Sequence, residues 1–190
     1  MPREVELPES NKREEKRAAL VSAAVRVLIS DGLGACSARR VAREAGVSKS
    51  IFHYYFKDMD ELIHLAIRAG TEHFFDSVRS AGEGDSLASF WTAIESYIVP
   101  FQAQIILWLD YWLYCVRSGS LEPIRDIQSL LAQLFEDLLE PLDVGNVEER
   151  AHSLASFAFG TVMQQSIEPI PIARLRSEIS LVSGAPLPQR

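Results

Sequence analysis

The sequence SARRVAREAGVSKSIFHYYFKDMDEL, residues 37–62, decides the fold that we expect for this chain. A short helical pattern over residues 37–45 ends at Gly46, and a second short helix, rich in polar and aromatic side chains, follows over residues 48–55. Two short helices joined by a glycine-containing turn are typical of a helix-turn-helix, whose second helix can enter a major groove. The stretch therefore predicts a DNA-binding element, and the rest of the chain is interpreted as a sensor.

The composition is typical of a globular protein from a reducing compartment. The chain has 190 residues, 47% of them hydrophobic, and its charged first 20 residues contain no secretory signal. The longest apolar run, residues 103–116, contains Asp110 and is shorter than the roughly 20 residues that a membrane-spanning helix needs. Cys36 and Cys115 are far apart in sequence, so neither a disulfide framework nor a zinc site is predicted. We expect a cytoplasmic protein without membrane association, metal or cofactor.

The charge is distributed unevenly along the chain. The net charge is −7, but residues 12–57 hold ten Lys and Arg against four acids, a local net charge of +6. Beyond residue 70 there are seven Arg and sixteen acids, a net charge of −9. This asymmetry favours a basic domain that meets DNA phosphates and an acidic domain that avoids them, although solvated helix faces are the alternative explanation.

Apolar residues recur at helical spacing along nearly the whole chain. The predicted helices cover residues 11–30, 37–45, 48–55, 58–80, 86–99, 100–118, 121–140 and 146–167. Ser37 is expected to cap the second of these helices, and Asp58 with Glu61 forms a capping box at the start of the fourth. No alternating strand pattern interrupts the helices, so the sequence predicts an all-α protein.

The expected domains follow the breaks between these helices. Residues 1–57 form an N-terminal arm and a three-helix DNA-binding domain with the helix-turn-helix, and residues 58–80 form a connecting helix. Residues 81–190 form a C-terminal helical ligand-binding and dimerisation domain. The proline-containing tail from Ser183 onward is expected to be loosely held.

The second helix of the motif is expected to read DNA. Its apolar side chains, Phe52, Tyr55 and Phe56, lie at helical spacing and can hold it against the preceding helix. The opposite face then presents Lys49, Ser50, His53 and Tyr54, all able to bond to bases or phosphates.

The stretch from Arg13 to Ala69, above all GVSKSIFHYYFKDMDEL, resembles the tetracycline-repressor (TetR) family of one-component regulators. The resemblance implies a three-helix DNA-binding domain, a fourth helix leading to a divergent ligand domain, and a homodimer on palindromic double-stranded DNA. Carried over by position, it implies base contacts by Arg39, Lys49, Ser50 and His53, and phosphate contacts by Ser37, Tyr54, Tyr55 and Lys57. Ser50 stands where the family commonly has glycine, Ile51 where it has threonine, and Met59 where it often has lysine.

The sensor half contains an unusually aromatic segment, FQAQIILWLDYWLY, residues 101–114. A carboxylate among Trp and Tyr side chains is typical of a pocket for an organic cation, so Asp110 predicts a cationic effector. The expected partner is therefore a small-molecule effector, either cationic or, if the aromatic residues alone form the site, apolar. The expected ligand-binding residues are Trp91, Trp108, Asp110, Tyr111, Trp112, Cys115, Met163 and Gln164, with Glu168 as a further candidate. The alternative is that the aromatics form core and that Asp110 faces solvent or pairs with Arg117. The segment ILWLDYWLYCVRSGSLEPIR also resembles the C-terminal domain of choline-responsive (BetI-like) repressors.

Two apolar stripes near the C-terminus are candidates for dimerisation. The expected interface residues are Leu131, Leu134, Leu138, Leu154, Phe157, Ala158 and Thr161. The alternative is that these stripes close the core of each subunit.

These observations predict a homodimeric repressor that is released from DNA by a small molecule. The alternatives are a ligand-dependent activator and a helical protein-interaction module with a vestigial helix-turn-helix. An enzyme is not expected, because the chain has no G-x-S-x-G, H-E-x-x-H or Gly-rich phosphate motif, and His64, His73 and His152 are isolated.

Overall fold

The computed structural model describes residues 9–84 and 86–187, without the side chains of residues 9–12, 99–103 and 166. The described residues form α-helices and one short 3₁₀ turn (Leu33–Ala35) and contain no strand, which confirms the all-α prediction. The helices are α1 (Glu9–Asp31), α2 (Ala38–Glu44), α3 (Lys49–Tyr55), α4 (Met59–Ala81), α5 (Leu87–Ser118), α6 (Glu122–Leu139), α7 (Val147–Ile167) and α8 (Ile172–Ser183). None of these helices, over the residues described, is long and apolar enough to cross a membrane.

The chain forms two compact units, and the boundary between them lies inside α4. The first unit ends at Gly70 and the second begins at Thr71. Helix α4 therefore contributes its first half to one core and its second half to the other. In the sequence-based division it was expected to be a separate connecting segment.

The first unit has a small core that fixes α3 against α1 and α2. Its fully buried side chains include Leu20, Ala24, Val27, Leu28, Val41, Ala42, Phe52, Phe56, Leu62 and Ala66. The helix starts are capped as the sequence predicts, since Ser37 Oγ accepts from Arg40 N at 3.3 Å and Asp58 Oδ1 accepts from Glu61 N at 2.9 Å. Between α2 and α3 the chain turns at Gly46, whose φ of +68° is unfavourable for residues with a Cβ.

The second unit packs α5, α6, α7 and α8 with the end of α4 around an aromatic core. The largest fully buried side chains there are Phe90, Tyr97, Tyr111, Phe135, Leu134, Leu139, Leu154 and Leu175. Helix α5 continues through Pro100, so the prediction of two helices divided there was wrong. Proline usually favours a helix start because it lacks an N–H. Here Tyr97, Ile98 and Ile105, on both sides of the proline, all enter the same core.

Residues 183–187 are anchored, which corrects the expectation of a loose tail for that part; the last three residues of the expected tail lie outside the described residues. Residues 172–183 form α8, a helix that the sequence analysis did not predict. After α8, Ala185 is completely buried, and Trp91 Nε1 donates to the carbonyl of Pro186 at 3.1 Å. The Arg150 guanidinium also donates to the carbonyl of Val182 at 3.3 Å. These hydrogen bonds join Pro186 to α5 and Val182 to α7.

Replacing Trp91 with phenylalanine removes the donor to Pro186 and shortens the buried ring. We expect the free energy of unfolding to fall by about 1–3 kcal/mol, from one lost hydrogen bond and a small cavity. Urea unfolding measures this change, and hydrogen exchange of the residue 183–187 amides measures the release of the tail. Trp112→Phe is the control, because Trp112 is 39% exposed and should lose less. Unchanged exchange in the tail of the Trp91 variant would contradict the anchoring role.

Candidate DNA interface and ligand cavity

Helix α3 presents a continuous polar face to solvent. Lys49, Ser50, His53 and Tyr54 are all exposed, and 63% of Tyr54 is accessible. Ile51 and Tyr55 are half-buried, whereas Phe52 is buried. The short helix therefore separates its donor and acceptor groups from the residues that hold it in place.

Aromatic and cationic contacts hold α3 against α1. Phe52 and Phe56 are each only 2% exposed, and their ring centroids lie 5.6 Å apart. The Arg17 guanidinium lies 5.2 Å from the centroid of the Phe56 ring and also pairs with Glu61 of α4 at 3.1 Å. Glu61 in turn accepts from Lys57 N at 2.8 Å. The chain leaving α3 is thus held from two other helices.

A second cation lies against the exposed face itself. The Arg13 guanidinium is 5.1 Å from the centroid of the Tyr54 ring, within the range of a cation–π interaction. Tyr54 and Tyr55 also contact each other edge to face at 4.9 Å. These contacts restrict the Tyr54 ring while leaving most of its surface accessible.

A network of ion pairs joins α1 to α2. Arg40 pairs with Asp31 at 2.7 Å and with Glu44 at 3.0 Å, and Arg26 pairs with Glu44 at 3.0 Å. The Ser30 hydroxyl and then the Arg40 guanidinium hold the pKa of Asp31 below its usual value. Arg26 and then Arg40 do the same for the pKa of Glu44. Arg26 and Arg40 therefore neutralise these acids inside the unit.

The predicted DNA-binding residues all belong to this first unit. Arg39 is exposed, and the described residues form no ion pair with it or with Lys49 and Lys57. Ser37 is exposed, and its hydroxyl oxygen accepts from Arg40 N. Its hydroxyl hydrogen can still be donated to a phosphate oxygen. Arg13 was not among the predicted DNA-binding residues, because it is far from the motif in the sequence and only the folded chain brings it to Tyr54.

The second unit contains a cavity of about 370 Å³, a size typical of small-molecule sites. It is lined by Phe75, Tyr97, Trp108, Trp112, Ile124, Ile127, Gln128, Leu131, Ala132, His152, Ala155, Ser156 and Phe159. Phe75 comes from α4, three aromatics from α5, and the remaining residues from α6 and α7. The wall is mostly aromatic and aliphatic, with a few polar groups.

Only two of the eight expected ligand-binding residues, Trp108 and Trp112, line this cavity. Asp110 is exposed, so the carboxylate on which the expectation of a cationic ligand depended lies outside the cavity wall. Met163 and Gln164 are exposed on another face of α7 and do not reach the wall either, nor does Glu168. Helical spacing alone does not show which face of α5 or α7 points to the cavity.

The other three expected ligand-binding residues belong to the core. Trp91 is buried and bonded to Pro186, and Tyr111 and Cys115 are completely buried without lining the cavity. Burial, and then the neighbouring Cys115, raise the pKa of the Tyr111 phenol well above its usual value. In the first unit, burial likewise raises the pKa of Cys36 to about 11, which keeps that thiol protonated and unreactive.

The expected dimer-interface residues are mostly turned inward. Leu134, Leu154, Ala158 and Thr161 are at most 8% exposed, so they close the core of the subunit and are not available to a partner. Leu131 lines the cavity. The last two of the seven, Leu138 and Phe157, are half-buried and pack against the core.

The cavity residues that the sequence analysis missed carry a recognisable signal. Ile124, Ile127, Gln128 and Leu131 follow the i, i+3, i+4, i+7 spacing of one helix face, and so do His152, Ala155, Ser156 and Phe159. The two faces meet because α6 and α7 pack against each other. The expected dimer stripes of these helices share only Leu131 with this wall, so the cavity uses a different face of each helix.

The three-helix unit with its exposed, basic α3 and the separate helical unit with a cavity define a class of protein, the helix-turn-helix transcriptional regulators. Residues 20–66 match the family described as "Bacterial regulatory proteins, tetR family". The chain is 31% identical over 183 residues to the HTH-type transcriptional regulator PksA of Bacillus subtilis (strain 168), with 90% of this chain and 88% of that protein covered. The chain belongs to the TetR family, and the protein is a transcriptional regulator of that family.

Two further comparisons cover nearly the whole chain. The HTH-type transcriptional regulator BetI of Vibrio campbellii (strain ATCC BAA-1116) is 27% identical over 172 residues, which cover 86% of each protein. The crystal structure of the multidrug binding protein EbrR complexed with imidazole matches with a TM-score of 0.68 at 22% identity, over 100% of both chains. At that identity the structural match shows the shared fold.

The α1–α2 ion pairs predict how acid affects the protein. Asp31 and Glu44 have lowered pKa values in the folded state, so their stabilisation is complete above the usual values of 3.8 and 4.5 and is lost as the pH falls through the lowered values. We expect Arg40→Gln to reduce the loss of stability between about pH 6 and about pH 3, because both carboxyls lose a partner. Thermal unfolding midpoints across this range provide the measurement.

Arg39→Gln is the matched control for this experiment. Arg39 is the neighbour of Arg40 in the sequence, and its side chain is exposed and forms none of these pairs. The substitution therefore removes the same charge without breaking the network. Identical pH dependence of Arg40→Gln and Arg39→Gln would show that the network does not contribute to acid stability.

Proposed function

We propose that this regulator is a homodimeric repressor, which binds palindromic DNA through α3 and is released when a small molecule occupies the cavity of the second unit. The observation that carries the proposal is the exposed face of α3, which presents Lys49, Ser50, His53 and Tyr54 together. The basic first unit supplies attraction to phosphates, and the acidic second unit is repelled by them.

The α3 face supports a division of roles on DNA. Lys49, Ser50 and His53 carry the groups that can bond to base edges in a major groove. Arg13 with Tyr54, and Lys57 at the exit from α3, are suited to phosphates, because they lie beside the face that carries the base-reading groups. Arg40 is excluded from the interface in this proposal, since Asp31 and Glu44 already occupy its guanidinium.

Helix α4 is proposed to couple the cavity to DNA. Its first turn carries Glu61, which holds Arg17 and the exit from α3, and the same helix carries Phe75 in the cavity wall. A ligand that moves Phe75 thereby acts on the helix that positions the recognition element. A dimer enters successive major grooves only if its two α3 helices lie about 34–36 Å apart. A ligand that prefers another spacing shifts the population away from DNA.

The dimer surface is proposed to lie on the outer faces of α7 and α8. Ile167 and Leu181 are each 82% exposed. Gly160 is exposed, and the space where its Cβ would stand is open, which permits close approach of a second helix. Exposed apolar and small side chains on two adjacent helices suit an isologous four-helix contact. This surface replaces the inward-facing stripes that the sequence suggested.

The DNA-reading role predicts different effects for two kinds of substitution. Lys49→Ala combined with His53→Ala should weaken binding to the preferred palindrome by about 1–3 kcal/mol and relax its sequence preference. Lys57→Ala should weaken binding to all sequences similarly. It should reduce the slope of log K against log salt by about 1.8, because each phosphate contact contributes about 0.9 and a homodimer loses two of them. Selection from random duplex DNA, followed by salt titration of the enriched sequences, measures both effects.

Arg117→Ala is the control for charge alone. It removes an exposed cation from the acidic second unit and should leave DNA affinity unchanged. A flat salt response and no enriched palindrome in the unsubstituted protein would contradict the repressor proposal and support a protein-interaction module.

The proposed dimer surface predicts a change in mass. Ile167→Glu combined with Leu181→Glu should yield a folded monomer of 21.2 kDa, because both side chains are outside the core and like charges then oppose each other across the interface. Light scattering after size-exclusion chromatography measures the mass. Ile106→Glu is the control, since Ile106 is 66% exposed on α5 and lies outside the proposed surface. A double variant that remains dimeric would exclude this surface.

A further inference from the structure

We infer that the ligand of the cavity is a neutral aromatic molecule with a hydrogen-bond donor at one end. The inference rests on the proposed ligand-binding role of the cavity and specifies the chemistry that this cavity accepts. It departs from the cation that the aromatic sequence and Asp110 suggest.

The cavity has an apolar floor and a polar mouth. Phe75, Tyr97 and Ile127 in its wall are buried, with at most 5% of each accessible. Gln128, His152 and Ser156 in the same wall are exposed. Trp112, which is 39% exposed, joins the two regions. A ligand therefore buries most apolar surface when its ring system lies at the floor and its polar end lies at the mouth.

The aromatic side chains favour a ligand with aromatic rings. Phe75, Trp108 and Trp112 supply ring faces and edges along the wall, and such rings prefer offset stacking or edge-to-face contact with another ring. An aromatic molecule can use several of these surfaces at once, whereas a compact aliphatic molecule of equal volume meets fewer of them.

No acidic side chain is found among the described residues of the cavity wall. Asp110 is exposed on α5 outside it, and solvent and salt screen a charge in that position. A cation in the cavity would meet ring faces but no counter-ion. Since cation–π attraction is small compared with the loss of hydration of a buried fixed charge, a neutral molecule is favoured over a cation of the same shape.

The His152 ring determines which polar end fits. Its Nδ1 lies 3.0 Å from the carbonyl oxygen of Glu148, and because a carbonyl only accepts, Nδ1 must carry the proton and donate it. In the neutral ring Nε2 is therefore an acceptor, which a hydroxyl or N–H of the ligand can satisfy. Gln128 and Ser156 can either donate or accept, so His152 is the group that discriminates.

Three probes with one biphenyl skeleton test the inference: biphenyl-4-ol, 4-methoxybiphenyl and biphenyl-4-yltrimethylammonium. Isothermal titration calorimetry of the full chain without DNA measures their binding. We expect biphenyl-4-ol to bind about fivefold to tenfold more tightly than either of the others, the affinity ratio that one additional hydrogen bond supplies. Tighter binding of the ammonium probe, or no binding of biphenyl-4-ol, would overturn the inference.

Two substitutions at the mouth separate the contributions of the donor and of charge. His152→Phe keeps a ring but removes the acceptor, so biphenyl-4-ol should lose its advantage while 4-methoxybiphenyl binds as before. Gln128→Glu is nearly isosteric and should increase the affinity of the ammonium probe about twofold to fivefold, the gain of an exposed ion pair. Because both side chains are exposed, neither change disturbs the core. Persistence of the biphenyl-4-ol preference in His152→Phe would contradict the assigned acceptor.

A separate titration on DNA keeps this inference distinct from the proposed function. If biphenyl-4-ol binds as expected but the protein stays on the enriched palindrome, the inferred ligand chemistry is supported and the proposed release from DNA by a cavity ligand is contradicted. If the ammonium probe binds more tightly and releases DNA, the proposed function stands and the ligand class fails.

Discussion

The burial of Phe52 and Phe56 in the core of the first unit is the constraint on which the exposed face of α3 depends. Helix α3 has only seven residues, too few to be stable alone, because a helix of that length forms few hydrogen bonds for the entropy that it loses. Its direction is therefore imposed by tertiary contacts. Phe52 and Phe56 provide them from inside, while Arg17, fixed by Glu61, covers the Phe56 ring from the other side. The exposed side chains of α3 are ordered because these buried ones are.

Helix α4 is held by contacts in both units. In the first unit Asp58 and Glu61 cap its start and hold the preceding loop. In the second unit Phe75 and Val78 are buried in the aromatic core, and Arg79 pairs with Asp137 of α6 at 2.8 Å. In the proposed coupling, a displacement at the cavity reaches the first unit through α4, because this helix has residues in both units.

The fold of the first unit could be predicted from the sequence nearly helix by helix. The motif is local, so the spacing of Phe52, Tyr55 and Phe56 already separates the held face of α3 from the exposed one. The capping role of Ser37 follows equally from its place before a helical pattern, and the structure confirms it. The contact of Arg13 with Tyr54 was not predicted, because it joins residues whose proximity depends on how α1 packs.

The sensor half was predicted as a set of helices, with less success for the faces that they present. Trp91, Trp108 and Trp112 look equivalent in the sequence, yet one bonds to the C-terminal segment and two line the cavity. Leu134 and Leu154 look like a dimer seam, yet they are buried inside the subunit. An amphipathic pattern reports that a face is covered, but it does not report whether a neighbouring helix, a ligand or a second subunit covers it.

Local sequence patterns are enough to predict the all-helical class, the helix-turn-helix, the face of α3 that meets solvent and the contrast between a basic and an acidic half. Each of these depends on residues close together in the chain, where helical periodicity and capping operate. Three other features required the three-dimensional packing: α5 continues through Pro100, Trp91 holds the segment after α8, and Asp110 lies outside the cavity. These features depend on which helices pack together, and the free energy of that packing comes from contacts between residues distant in the sequence.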